Sequence, residues 1–494
     1  MKNKTKKEKL HIAIIIIGII FISITAFHSN IWFDEAYSVG MAERTMGEIW
    51  NIGGHDVHPV LYYWMLRIVS LIANAWGITG VAGKIIIYRI FSIIPIAILG
   101  ALGYTHIKKD FGEKTGMIFS FLVFFLPESI MFANEIRMYS SAILAVTILV
   151  IYAYRLRLPQ NSNRKNWLIF FVSSITSIFL HYYGLMAAGI INIILLIYLI
   201  KNKRGKDILA ICTFGVIQLI SYLPWIMYLA GQLKHVSKGF WISFTFPETL
   251  IEILAGQFIG NLNIYIGFVV AVLLYIYLTI KICKDKGKKM PVILAISIYI
   301  LVIIAAIIMT YLLKTSILVY RYLFVITGLY IFAISFILSK ENNNKIIWAI
   351  CAVIAIIGTV SNIKSIQAAY NETNSKPIEY LQNNIQEGDQ LVYKEQQEGS
   401  VIAVYFPNNK QYFYNPDDWG VEEAYKAFGT NLKTCINSDF LEELEGRIWL
   451  IDKENKPLYN ELFNDGNYKI ISEKQIDIEY HKYSMNIVLI EKTK

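Results

Sequence analysis

Charge is scarce in this sequence: Asp, Glu, Lys and Arg together make up 17% of its 494 residues, where water-soluble domains carry about a quarter. With 55% hydrophobic residues beside that shortage, a single soluble core is excluded. Cysteine is scarcer still. Cys212, Cys283 and Cys351 lie in or beside apolar runs and Cys435 stands alone near the C-terminus, so no intramolecular disulfides are expected. The apolar stretches lack the alternation of barrel strands, which excludes a transmembrane β-barrel.

What the chain does have is hydrocarbon-spanning length. Apolar runs near the roughly 20 residues that cross a bilayer recur at about 11–29, 85–107, 115–133, 140–154, 167–182, 184–200, 207–230, 264–283, 291–313, 319–338 and 345–363. A spanning backbone must satisfy its own polar groups, so helices are expected. Five lysines before the first run also describe a secretory signal. No clear A-x-A site follows, and the run is read as an uncleaved signal anchor.

Charge then sets the orientation. Of the 32 basic residues before position 364, 23 fall at the N-terminus or in alternate loops, among them Lys108, Arg155, Lys203, the 281–289 cluster and Lys340. The positive-inside rule makes these loops cytoplasmic. That works only if 59–76 does not cross as a separate span. Tyr62, Tyr63, Trp64 and Arg67 suit a helix lying along the outer interface instead. The expectation is eleven spans in a domain over 1–363, with an external loop at 30–84, a cytoplasmic N-terminus and multi-pass residence in the cell membrane. The tail, 364–494, carries 22 of the 37 acidic residues and is net −8 while the rest is net +17. Strand-like "DQLVY", "RIWLID" and "NIVLIEK" alternate with the helical pattern "SKPIEYLQNNI", so a small extracytoplasmic α/β domain is expected. It holds no Gly-rich phosphate loop, paired Cys/His spacing or nucleophile elbow.

The outward face of that topology collects ionisable groups. Asp34 and Glu35 follow the first span directly. Acids are pushed to span ends by a cost of roughly 3 kcal/mol at the bilayer centre, so an interfacial stop signal is the plain alternative to a site. "HDVHP" offers His55, Asp56 and His58 as ligands for a divalent metal, or as a polar turn closed by Pro59. "NEIRMYS" places Glu135, Arg137 and Tyr139 at the exit of a span, and "VYRY" places Arg321 and Tyr322 on the same side. A guanidinium fork meets two phosphate oxygens and stays charged; snorkelling to lipid headgroups is the alternative. Two arginines, several acids and aromatics at one interface point to a phosphorylated lipid.

Taken in order, "FDEAYS", "HDVHPVLYYWML", "YRIFSIIPIAIL", "PESIMFANEIRMYS" and "YRYLF" resemble the membrane glycosyltransferases of the GT-C fold. The resemblance is to the bacterial family 39-like group, related to protein O-mannosyltransferases and to the aminoarabinose transferase acting on lipid A. It covers roughly residues 10–340. It implies a sugar donor carried on polyprenyl phosphate, an extracytoplasmic acceptor (a cell-envelope glycan, lipid or protein), and Asp34 as general base. It places Glu35, His58, Arg137, Tyr139, Arg321 and Tyr322 beside the substrates, with Glu135, His55 and Asp56 as further candidate contacts. Val60 stands where a second proline is usual. No cofactor is required beyond the open question of a divalent metal. The segment "KGFWISFTFPETL" in 231–263 and the tail are candidate acceptor contacts, or plain interfacial anchors.

Two other classes remain to be separated. A lipid transporter or flippase predicts paired interrupted helices and charges near mid-membrane, and the sequence has no internal repeat. A non-catalytic assembly protein would tolerate neutral residues at 34 and 137. Nucleic-acid binding is disfavoured because the basic excess belongs to inside loops.

Overall fold

Each of the eleven apolar runs is helical. The structure is a computed structural model and describes residues 5–493 apart from 240–241, 285–286, 288, 372, 418–419, 421, 454–457, 465 and 483. Lys2, Lys4, Lys286, Lys288, Phe240 and Trp241, which enter the charge and aromatic readings above, lie outside the described residues. Among the described residues nine helices are long and apolar enough to cross a membrane, ten if one bent pair counts as a single span. The difference from eleven has two local causes. Residues 113–133 form Glu113–Phe125 and Pro127–Ala133, bent by 61°. Pro127 disfavours a helical conformation in the residue before it, and Leu126 is extended at φ −69°, ψ 132°. The other is Arg164–Leu180, which stops at 17 residues.

The 59–76 segment contains the separate helix Leu61–Ala75, 15 residues long. At 1.5 Å per residue it falls short of a hydrocarbon core of about 30 Å. Tyr62, Tyr63, Leu66, Ser70 and Ala73 are buried along one face, while Ile68, Leu71, Ile72 and the following Trp76 are exposed.

The chain divides into two compact units: one of residues 1–26, 57–62 and 90–365, the other of 27–56, 63–89 and 366–494. In the first, long helices turn apolar faces outward, as Leu209, Val216, Leu219, Leu223 and Met227 do on Gly205–Lys238. Polar anchors sit inside. On the first helix, Lys6–Ser23, fully buried His11 meets Ser120 Oγ at 2.8 Å and Glu113 at 3.3 Å. Asn134 Nδ2 donates to the Ile22 carbonyl at 2.8 Å and Asn362 Nδ2 to that of Phe21 at 3.0 Å. Gly18 and Gly100 leave room for the ring of Phe124, which a Cβ at either position would meet at 2.3 or 2.1 Å.

The second unit is built on a six-stranded sheet of order β3-β2-β1-β4-β6-β5. Its strands are β1 (Gln390–Tyr393), β2 (Lys410–Tyr414), β3 (Leu432–Cys435), β4 (Arg447–Asp452), β5 (Tyr468–Gln475) and β6 (Asn486–Lys492). The first four pair in parallel, while β6 runs antiparallel to β4 and to β5. The α/β tail read from the sequence is therefore present. Val392, Tyr412, Leu450 and Val488 form its core with Phe440 and Phe463. The helix Phe33–Ala42 packs on Gln396–Ala403 in the same unit. A Cβ at Gly40 would come within 2.1 Å of the Ala427 carbonyl oxygen, so only glycine permits that approach.

Gly100→Leu forces a branched side chain into the space of Phe124 and should cost about 1–3 kcal/mol by overpacking. Gly215, with no atom near its missing Cβ, provides the control. Thermal unfolding of both leucine variants in detergent should show a lowered midpoint for position 100 alone.

Candidate active site

In the second unit the helix Phe33–Ala42 opens with Asp34 and Glu35 in its first turn, where the helix dipole favours anions. Successive side chains on a helix diverge by about 100°, so the two acids meet different surroundings. Glu35 is 1% exposed and Asp34 half-buried. Arg89, itself 2% exposed, grips Glu35 as a fork: Nη1 donates to Oε1 at 2.6 Å and Nη2 to Oε2 at 2.8 Å. Arg89 Nη2 also donates to the Asn30 carbonyl. The Asn30 side chain in turn donates to the Ala369 carbonyl at 3.0 Å and accepts from the Asn374 amide at 2.9 Å. Residues 30–35 are thus fixed from several directions.

Nearby, Glu43 accepts from Lys84 Nζ at 2.8 Å, Ser70 Oγ at 2.8 Å and Tyr88 Oη at 3.0 Å. His55 is exposed, with Nδ1 2.8 Å from the Asn51 carbonyl, and Asp56 is half-buried.

The first unit holds a different chemistry. His58, Arg137, Tyr139, His181, Tyr183 and Tyr322 are all buried there. The His58 and His181 rings lie 5.1 Å apart; Tyr322 stands 5.7 Å from the first and 5.0 Å from the second, and Tyr139 is 5.7 Å from His181. Arg321 is half-buried on the short helix Tyr320–Leu323, and half-buried Glu135 takes the Arg137 amide on its carbonyl at 2.8 Å.

Burial, then the positive charge of Arg137, pushes the His181 imidazole down to about 3. Burial also carries His58 well below its ordinary value, with Arg137, His181 and Arg321 adding to the effect. Both rings are therefore neutral near pH 7. His181 Nδ1 accepts the Tyr183 amide at 3.1 Å, which places the ring proton on Nε2. That Nε2–H is buried without a hydrogen-bond partner among the described residues, as are His58 Nδ1 and the hydroxyls of Ser140 and Ser141. Unmet polar groups in a buried wall are costly unless a ligand meets them. Neutral donors beside two guanidiniums suit an anion.

The structure thus gathers His58, Arg137, Tyr139, Arg321 and Tyr322 in one unit, with Glu135 close in sequence, and sets Asp34 and Glu35 on one helix of the other. No group of three or more His, Cys, Asp or Glu side chains among the described residues is arranged to hold a metal ion. His58 feels arginines rather than carboxylates, which disfavours a divalent cation there. Two residues were not singled out from the sequence. Arg89, in "YRIFSIIPIAIL", lies inside the apolar run 85–107, where an unpaired cation is expensive, and that was the signal for a buried acidic partner. His181 interrupts another apolar run in "FLHYYG".

Two solved structures of ArnT from Cupriavidus metallidurans share this architecture. The apo form aligns with a TM-score of 0.62 at 9% identity, over 97% of each chain. The form bound to undecaprenyl phosphate aligns with a TM-score of 0.59 at 10% identity, again over 97% of each. No protein-family model matches the sequence, and no curated protein does. The fold is the GT-C fold, with helical bundle and sheet domain both included in the match.

Breaking the buried pair with Glu35→Gln or Arg89→Met should cost about 3–5 kcal/mol, since each single change strands the other group. The double variant should unfold at a higher temperature than either single one. The histidines predict a pH dependence of defined sign. Their folded values lie below the unfolded 6.5, so below pH 6.5 the unfolded chain binds more protons and stability falls, by up to about 1.4 kcal/mol per pH unit per histidine. The unfolding midpoint should drop from pH 6.5 to 4.5 less steeply in His181→Gln than in the parent chain.

Proposed function

We propose that the protein is an integral membrane glycosyltransferase, moving a sugar from a polyprenyl-phosphate carrier to an extracytoplasmic acceptor with inversion. The observation that carries this reading is the buried wall of unmet neutral donors, His181 Nε2–H foremost, beside Arg137 and Arg321. The GT-C fold supports it, and one of the similar ArnT structures is bound to undecaprenyl phosphate. The orientation follows the positive-inside count, with the N-terminus cytoplasmic and the sheet domain outside.

In the reaction an acceptor hydroxyl oxygen bonds to the anomeric carbon as the bond from that carbon to the phosphate oxygen breaks. The bonding pair leaves with the polyprenyl phosphate, and the hydroxyl proton passes to the Asp34 carboxylate. One base suffices for a direct displacement. Negative charge grows on the leaving phosphate, where Arg137 and Arg321 stabilise it as preorganised cations. His181 donates Nε2–H to a phosphate oxygen. Its tautomer is already set by the Tyr183 amide, so no reorganisation is needed during the reaction. His58, Tyr139 and Tyr322 exclude water around the phosphate and hold the sugar. Glu35, held by Arg89, is a positioning residue that fixes the first turn of the helix carrying Asp34. Glu135, His55 and Asp56 are assigned to acceptor or sugar contacts.

Transfer of radiolabelled sugar from polyprenyl-phosphate donors, assayed in proteoliposomes, tests the assignment. Asp34→Asn should abolish turnover while leaving undecaprenyl phosphate binding and the unfolding midpoint intact. Arg137→Gln and Arg321→Gln should each lower kcat about 10²–10³-fold, and His181→Gln about tenfold. Parental turnover by Asp34→Asn would remove that residue from the mechanism. Full tolerance at both 34 and 137 would favour a non-catalytic assembly protein.

A further inference from the structure

Arg321 stands at the start of the helical stretch 320–339, and a separate opening lies at the other end of that stretch. A crevice of about 330 Å³ is enclosed by the last turn of Ile264–Lys284, the first turns of Met290–Leu313 and the last turn of Thr327–Ser339. Lys281, Lys284, Lys289 and Lys340 border it, and its floor includes Val292, Ile293, Ile296 and Ile337. No carboxylate lines it among the described residues.

Among the described residues, the partners of these lysines set how much charge faces the crevice. Glu341 is 6% exposed and already committed: it pairs with Lys281 and accepts from Tyr277 Oη at 2.7 Å and the Asn343 amide at 3.0 Å. Lys289 Nζ donates to the Ile282 carbonyl, and Lys340 lies 4.9 Å over the Phe336 ring. Both of those partners are neutral. Three ammonium charges, on Lys284, Lys289 and Lys340, therefore border the crevice without a carboxylate partner among the described residues.

The floor beneath them is apolar, and Ile293 is 54% exposed. Water serves the ammonium groups but not the floor, and a neutral lipid serves the floor but not the charges. A ligand with a phosphate at one end and methylenes below it serves both, which is the chemistry of basic pockets between transmembrane helices. Val292 to Ile296 spans one helical turn, about 6 Å. The slot therefore receives the glycerol-side methylenes of a chain whose remainder lies in the bilayer. The positive-inside count assigns this end of the bundle to the cytoplasmic leaflet.

We propose that this crevice is a binding site for an anionic diacyl phospholipid of that leaflet. The lipid phosphate sits among Lys284, Lys289 and Lys340, and one acyl chain runs along Ile293 and Ile296. The assignment is independent of the transferase reading.

Native mass spectrometry of the full chain, released from phosphatidylcholine nanodiscs doped with dioleoyl-phosphatidylglycerol, tests it. The parent chain should retain phosphatidylglycerol over phosphatidylcholine, and Lys284→Gln/Lys289→Gln/Lys340→Gln should lower that retention about tenfold. Lys201→Gln/Lys203→Gln/Lys206→Gln removes the same charge from exposed positions on the same side and should retain lipid as the parent does. Equal losses in the two triple variants would mean diffuse surface attraction and overturn the site. Ile293→Trp fills the slot with every lysine in place and should also lower retention; unchanged retention would overturn the acyl contact. Glycerol 1-phosphate should not compete. Competition by it would reduce the ligand to a free phosphate, and preferential retention of undecaprenyl phosphate would replace the diacyl assignment; either result defeats the proposal.

Discussion

A carboxylate and a guanidinium taken out of water each cost several kcal/mol, and only tight mutual geometry recovers that. Glu35 and Arg89 meet this condition with two parallel hydrogen bonds at 2.6 and 2.8 Å. The helix Phe33–Ala42 cannot rotate about its axis without breaking the fork. Its neighbouring residue, Asp34, is consequently presented in one direction and left half-buried instead of sealed.

The same constraint is solved differently in the helical unit. There the arginines stand among imidazoles and phenols, with Glu252 also acting on Arg321, and burial keeps the imidazoles neutral. Elsewhere in that unit Glu128, 1% exposed, accepts from Thr327 Oγ1 at 3.1 Å, tying the bent segment Pro127–Ala133 to the helix Thr327–Ser339. Polar groups thus act as registration points in a bundle whose apolar surfaces alone would slide.

Hydrophobic runs and the positions of lysines made the helices, the separate short helix Leu61–Ala75 and the α/β tail legible, because each depends on residues close in sequence. Arg137 and Arg321 were legible as candidates for a related reason: a cation at the end of an apolar run needs explaining. Pairing was not. Glu35 and Arg89 are 54 residues apart, and no local pattern says which acid of "DE" a distant arginine grips. Two histidines of one motif also met opposite fates, His55 exposed and His58 4% exposed. The tautomer of His181 depends on a backbone amide two residues away, a matter of turn geometry that composition does not carry.

His11 imposes an order on biosynthesis. It enters the bilayer with the first helix, yet its buried partners Glu113 and Ser120 are translated 102 and 109 residues later. This buried contact can form only once the segment Glu113–Phe125 has been made. A chain truncated before that point has the first helix but lacks the contact that ties its buried imidazole to the bundle.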